Sequence, residues 1–183
     1  DIYHIQVMDG DLIRRIRDLA TENKRPVIAF TEDVAASGGY MLACAADEII
    51  CDPSSIVGSI GVVGGSFGFA GLMDKLGIER RLVTAGENKG MLDPFSPVDA
   101  KDVEHVKKLM GDIHQQFIGV VREGRGKRLK DSPEIFSGLF WTGERSVDLG
   151  LADGFGSLEY VAREVIKAED IRDYTISEGI AEK

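Results

Sequence analysis

Val34-Ala35-Ala36-Ser37-Gly38-Gly39-Tyr40-Met41-Leu42-Ala43 is the stretch whose reading decides the fold. An apolar, β-branched run, Pro26-Val27-Ile28-Ala29-Phe30-Thr31, leads into it, and small residues from Ala43 to Ala46 lead out. The pattern predicts a buried strand, a tight turn and a helix. Ser37 stands at the turn. A serine there has an exposed hydroxyl and the backbone N–H groups of the next helix beside it. That is a site for a nucleophile, and equally for a plain helix cap.

Working outward, Asp9 and Asp11 can cap a helix whose Leu12, Ile13, Ile16, Leu19 and Ala20 recur at helical spacing, ending near Asn23. Residues 1–8 read as a short strand or lead-in. Beyond the Ser37 helix, Glu48-Ile49-Ile50-Cys51 reads as a second strand, closed by Asp52-Pro53. Val57-Gly58-Ser59-Ile60-Gly61-Val62-Val63-Gly64-Gly65 follows, apolar but dense in glycine. Such density signals close backbone approach or positive φ, and one functional reading is a groove wall with free edge groups. Phe67 to Leu76 fits a short helix stopped by Gly77, and Arg81-Leu82-Val83-Thr84 a strand. That strand runs into a loop, Ala85-Gly86-Glu87-Asn88-Lys89-Gly90.

Asp99 with Asp102 starts one long amphipathic helix, marked by Val103, Val106, Met110, Ile113, Phe117, Val120 and Val121, to about Gly124. Lys127, Arg128 and Lys130 read as a solvated basic segment. Ser132-Pro133-Glu134 opens a short helix, and Phe140-Trp141 a strand. Thr142 caps the helix Gly143–Leu149, which Gly150 stops. Leu151-Ala152-Asp153 reads as a strand, Ser157–Lys167 as the last helix, Tyr174-Thr175-Ile176 as a strand, and the end as frayed. Alternating strands and helices point to an α/β fold with parallel pairing. The 183 residues suit a single domain spanning 1–183.

Net charge of −9 argues against a nucleic-acid partner, since phosphate contacts need clustered Lys and Arg. Cys44 and Cys51 read as small buried thiols. No spacing suggests a metal site, and no cofactor is expected. No apolar run approaches the length of a membrane span, and no signal peptide is visible. The chain begins at Asp1 without Met, which reads as a piece of a longer protein and leaves an upstream anchor open.

A serine hydroxyl needs a base. His4, His105 and His114 are isolated, and a solvated or capping role suits each better than ligation. His105 and His114 lie nine residues apart, near opposite sides of the long helix, so a Ser-His-Asp triad is unpersuasive. Lysine is the other known base, and must be kept neutral by desolvation or nearby positive charge. Lys89 stands out because it lies in a Gly-flanked loop after an apolar strand, outside any run of charge. By context alone, a surface loop lysine is the favoured reading.

Three motifs, in order, resemble those of the signal peptide peptidase A family of serine–lysine peptidases: Val34–Tyr40, Gly58-Ser59-Ile60-Gly61-Val62 and Ala85–Lys89. Phe140-Trp141-Thr142-Gly143 with Ala152-Asp153-Gly154 is similar to a later segment of that family. The resemblance covers about residues 9–165. It implies a ClpP/crotonase-like spiral of ββα units. It implies Ser37 as nucleophile, Lys89 as general base, the Gly38 N–H at the oxyanion, and Ser59 orienting the lysine amine. It also implies ring-like homo-oligomers in which serine and lysine can come from neighbouring subunits. Members are bacterial or archaeal, usually membrane-associated, and cut remnant signal peptides or other extended hydrophobic segments.

The chain departs from the family at its start. Members carry an N-terminal strand and a Gly-Gly turn that supplies a second oxyanion N–H, whereas residues 1–10 contain no such turn. The N-terminal part of the fold is therefore expected to be missing from this stretch, with an incomplete oxyanion hole one consequence. Met41, Leu42, Ile60 and Val62, together with Ala36, suggest an apolar pocket of modest size beside Ser37. The glycine-rich strand could pair with an extended peptide by strand addition. Two alternatives are an acyl-CoA enzyme of the crotonase type and a non-catalytic ring-forming scaffold of the same fold.

Overall fold

The computed structural model describes residues 10–167, 170–172 and 174. The possible lead-in strand at 1–8, the absent Gly-Gly turn and the strand expected at 174–176 fall outside these residues, apart from Gly10 and Tyr174.

The chain runs α1 (Gly10–Asn23), β1 (Ile28–Thr31), β2 (Val34–Ala36), α2 (Gly38–Ala43), β3 (Glu48–Cys51), β4 (Ile56–Gly58), α3 (Ala70–Leu76), α4 (Ala100–Arg125), β5 (Phe140–Thr142), α5 (Gly143–Asp148), β6 (Gly154–Phe155) and α6 (Leu158–Tyr160). A π-helical segment, Val161–Ile166, continues α6. Two small sheets form, in the orders β1-β3-β6 and β2-β4-β5. β1 pairs with β3 in parallel, and β2 with β4 in parallel. Each ββ unit therefore stacks on the next, one strand to each sheet. This is the ClpP/crotonase-like ββα spiral, and α2 is the helix of its first turn.

The local chemistry behind these elements is ordinary. Asp99 caps α4 by accepting from the Lys101 N–H at 2.8 Å, and the Thr142 hydroxyl caps α5 by accepting from Arg145. Gly77 ends α3 in the left-handed conformation, φ 68°. β2 was not legible as a strand. It has three residues, and in sequence it merges with the serine turn.

The core is formed by Tyr40, Met41, Ile49, Cys51, Val57, Ile60, Phe117, Val121, Ile135 and Leu151, among others. α2 meets α4 closely: a Cβ on Gly124 would lie 2.4 Å from the Cys44 carbonyl oxygen, so only glycine fits there. α4 buries Phe117, Ile118, Val121 and Arg125, all in its C-terminal half. Its N-terminal half borders a segment, 63–99, none of whose residues is buried. Two expected strands are absent. Arg81–Thr84 pairs with no strand among the described residues and is exposed. The expected strand Leu151–Asp153 is a loop, and its pairing falls to Gly154–Phe155, alongside Ile50 and Cys51.

One buried ion pair ties the layers together. Arg125, 1% exposed, donates Nη1 and Nη2 to the two oxygens of Asp153 at 2.8 Å each, and Nε to the Gly150 carbonyl at 2.8 Å. Asp153 also accepts the Ile49 N–H of β3 at 2.7 Å. Arg128 reaches the same carboxylate at 3.2 Å and the Asp47 carbonyl at 2.7 Å, so it is structural rather than part of a solvated basic tail. Burial alone would raise the Asp153 pKa. The Arg125 hydrogen bonds, the Ile49 N–H and the charges of both arginines outweigh it, and hold the carboxyl below its ordinary value.

A depressed carboxylate pKa contributes stability that is complete above the unfolded value and is lost as pH falls through the folded one. We therefore expect urea midpoints to drop in acid, below the ordinary aspartate range. Asp153→Asn should flatten that acid limb and cost about 3 kcal/mol at neutral pH, because it leaves Arg125 buried without its counter-charge. Wild-type urea stability in the variant would contradict this account.

Candidate active site

Ser37 lies where the first ββα unit turns from strand to helix. β2 ends at Ala36, whose register partner is Gly58. The Ser37 N–H then donates to the Gly58 carbonyl at 2.9 Å, which leaves Ser37 and Ser59 as the next residues of the two parallel strands. On the other side, the Ser37 carbonyl accepts from Met41 N–H at 3.0 Å and starts α2. Held from both sides, Ser37 adopts φ 52°, ψ −123°, a conformation L-residues rarely enter.

The hydroxyl is not spent on this geometry. Ser37 is exposed and makes no side-chain capping bond to α2, so the helix-cap role open from sequence is not what it does. Gly38, the first residue of α2, has by position no intrahelical acceptor for its N–H. Ser59 is half-buried, with φ 53°, and its N–H donates to the Leu139 carbonyl at 2.7 Å. Before it, Gly58 has φ 118°, and a Cβ there would meet the Trp141 ring at 2.9 Å. The glycine of the second motif thus satisfies both a backbone conformation and a close approach.

Lys89 sits apart, in an exposed turn over 86–92. Its N–H donates to the Gly86 carbonyl at 3.2 Å, and its side chain folds over Gly86, where a Cβ would lie 3.0 Å from Lys89 Cγ. Among the described residues no hydrogen bond joins Lys89 to Ser37 or Ser59. The fold of one chain brings together Ser37, Gly38 and Ser59, while Lys89 lies exposed in a turn of the segment 63–99, none of whose residues is buried.

The four residues suggested for an apolar pocket divide. Leu42 is exposed and Val62 half-buried. Met41 and Ile60 belong to the core, Ile60 at 0% exposure, and are corrected here from pocket walls to packing residues. Both side chains pack in the core that Tyr40, Ile49, Phe117 and Val121 also form. Two cavities, of about 630 and 500 Å³, are lined by neither Ser37, Ser59 nor Lys89.

Cys44 and Cys51 are free and buried, as expected. Burial first of all pushes the Cys44 thiol up to about 12 and that of Cys51 up to about 11. Neither is a thiolate at neutral pH, which removes both as competing nucleophiles. Sequence reading missed two contacts. The Tyr40 hydroxyl crosses the core to donate to the Leu151 carbonyl at 2.8 Å, tying α2 to the loop held by Arg125. His114, read as solvated or capping, is half-buried, with Nε2 3.1 Å from the Ile60 carbonyl. Only spacing along α4 could have hinted at the latter, since His114 shares a helix face with Met110, Phe117 and Val121.

The model of Peptidase family S49 matches residues 20–172. The chain belongs to peptidase family S49. Among its relatives is a protein named Na(+)/H(+) antiporter NhaA from Brucella abortus, 58% identical over 152 residues, covering 83% of this chain and 21% of that protein. Serine protease SPPA, chloroplastic, from Arabidopsis thaliana is 34% identical over 150 residues, 81% of this chain and 22% of that one. The chain thus spans about a fifth of the length of these S49 relatives. Among solved structures it is similar to a mutant of the 1510-N membrane-bound stomatin-specific protease in complex with a substrate peptide. That likeness has a TM-score of 0.47 at 15% identity, covering 85% of this chain and 59% of that one.

The strain at Ser37 gives a stability test for this S49 domain. Ser37→Gly should raise stability by about 1 kcal/mol, since glycine enters that conformation without the side-chain penalty and no side-chain hydrogen bond is lost. A thermal melt reads it, and a fall in midpoint would mean that the serine side chain has a structural partner after all.

Proposed function

We propose that this chain is the serine peptidase domain of an S49 protein, working through a Ser37–Lys89 dyad on extended, hydrophobic peptides. The observation that carries the reading is Ser37 itself: an exposed hydroxyl with no capping duty, on a backbone held at φ 52° beside Ser59. A residue kept in so unfavourable a conformation without a local structural return is a candidate for function.

In this reading Ser37 Oγ attacks the peptide carbonyl carbon, and its proton passes to the neutral Lys89 amine. The negative charge moves to the carbonyl oxygen, where the Gly38 N–H donates to it. Collapse of the tetrahedral species breaks the C–N bond. Lys89 returns the proton to the leaving amine, and an ester to Ser37 remains. Water, deprotonated by the same lysine, then releases the acid and restores the serine. The Ser59 hydroxyl orients the lysine amine throughout.

A lysine base needs desolvation to stay neutral, and Lys89 is exposed in a single chain. A homo-oligomer supplies the missing cover. Segment 63–98 supports this, with Val63 at 92% and Val83 at 93% exposure, and Phe67, Leu76 and Val98 also open to solvent. Apolar surface of that extent is characteristic of an interface. The dyad then forms at or across the contact between subunits. Leu42 and Val62, the accessible apolar residues near the turn, favour apolar substrate side chains. Among the described residues no helix is long and apolar enough to cross a membrane. The antiporter name of the Brucella relative supports a membrane setting supplied by other parts of the protein.

Ser37→Ala and Lys89→Ala should each lower cleavage of a fluorogenic apolar peptide by about 10³-fold or more, with circular dichroism unchanged. Mixing the two inactive variants should restore part of the activity if serine and lysine come from different subunits. Full activity in either single variant would sink the dyad.

A further inference from the structure

We infer that His114 is a positioning residue for the S49 site: through the Ile60 carbonyl it fixes the loop that carries Ser59. The inference rests on the peptidase reading above, in which Ser59 orients Lys89.

The Ser59 loop has little regular structure of its own. It follows β4, whose three residues end at Gly58, and it lies in a run dense in glycine. Ser59 itself has φ 53°, a conformation that relaxes unless the surroundings enforce it. One side of the loop is secured by the β5 side of the sheet. Ser59 N–H donates to the Leu139 carbonyl at 2.7 Å, and Gly61 packs so tightly on Gly138 that a Cβ would lie 3.0 Å from its Cα. The other side is secured from α4. His114 Nε2 lies 3.1 Å from the Ile60 carbonyl oxygen. A carbonyl can only accept, so Nε2 carries the hydrogen and donates. One turn earlier on the helix, Met110 Sδ lies 3.5 Å from the place a Gly64 Cβ would occupy. Helix α4 thus runs alongside the glycine-rich segment, and His114 supplies its directional contact to it.

The Ile60 side chain is fully buried, so rotating the peptide to find water would drag it from the core. With His114 in place, the peptide between Ile60 and Gly61 has one orientation. Ser59, one residue earlier, inherits it and holds its left-handed backbone, with its hydroxyl fixed relative to the Ser37 turn. Loss of the donor frees that peptide and blurs the position of Ser59, while Leu42 on α2 stays in place. The expected consequence is slower proton transfer at nearly unchanged substrate affinity.

Methionine and glutamine at 114 separate the hydrogen bond from packing, because they are close in shape and only glutamine donates. In a peptide-cleavage assay, His114→Met should lower kcat about tenfold with KM within about twofold of wild type, and His114→Gln should recover most of the loss. Equal activity in the two variants, or a His114→Met loss that merely tracks the folded fraction by circular dichroism, would overturn the inference. Ser37→Ala measured alongside separates the two levels. If it retains turnover, the peptidase reading itself fails. If it is inactive while His114→Met turns over like wild type, only the role of His114 fails.

Discussion

The interaction on which the rest of the molecule depends is the buried bidentate pair between Arg125 and Asp153. It stands at the meeting point of three pieces distant in sequence. Arg125 ends α4, Asp153 follows the α5 loop, and the same carboxylate takes the Ile49 N–H of β3. Removing one partner would strand a charge at full burial, so α4 and the sheet β1-β3-β6 are held in one relation or the fold is compromised. The loop that the pair fixes also presents the Leu151 carbonyl to the Tyr40 hydroxyl. Tyr40 lies in the first turn of α2, three residues after Ser37. A buried ion pair on one side of the core is in this way connected to the backbone geometry of the serine turn on the other.

That turn is the second constraint. Parallel pairing of β2 with β4 aligns Ser37 with Ser59, and both sit at φ near 50°. Two adjacent serines in a conformation each would leave if free imply a frame stiff enough to hold them. The frame is made by Gly58 against Trp141, Gly61 against Gly138, Gly124 against Cys44, and His114 on the Ile60 carbonyl. Three of these four depend on glycine for close approach and not on any side-chain chemistry. Among the described residues Lys89 has no comparable frame: it lies in a turn of the segment 63–99, none of whose residues is buried, and in the proposed reading a second copy of the chain would cover it.

Much of this was readable in the residues. The periodicity of α1 and α4, the caps at Asp99 and Thr142, the stop at Gly77 and the strands at β1, β3 and β5 all follow from local rules, and all are present. The turn at Ser37 and the ordered glycine motifs led to the ββα spiral and to membership of family S49. The failures were of one kind. Arg81–Thr84 has strand composition but no partner, and strands exist only when paired. Met41 and Ile60 looked like pocket residues because they flank Ser37 and Ser59, but which way a flanking side chain points depends on the twist of the turn. Arg128 looked solvated, and His114 solvated or capping, because their partners lie far along the chain: the Asp47 carbonyl and Asp153 carboxylate for Arg128, the Ile60 carbonyl for His114.

By itself the sequence determined the α/β class and the position of the serine at a strand-to-helix turn. These are local properties, set by propensity, periodicity and residue type within about ten positions. Only the tertiary structure decided that Ser37 is strained and uncapped, that Ser59 is its neighbour, and that Arg125, Tyr40 and His114 hold the surroundings. Each of those facts is a contact between residues some 20 to 110 positions apart, and such contacts exist only once parallel strands have chosen their register and a helix has closed over them.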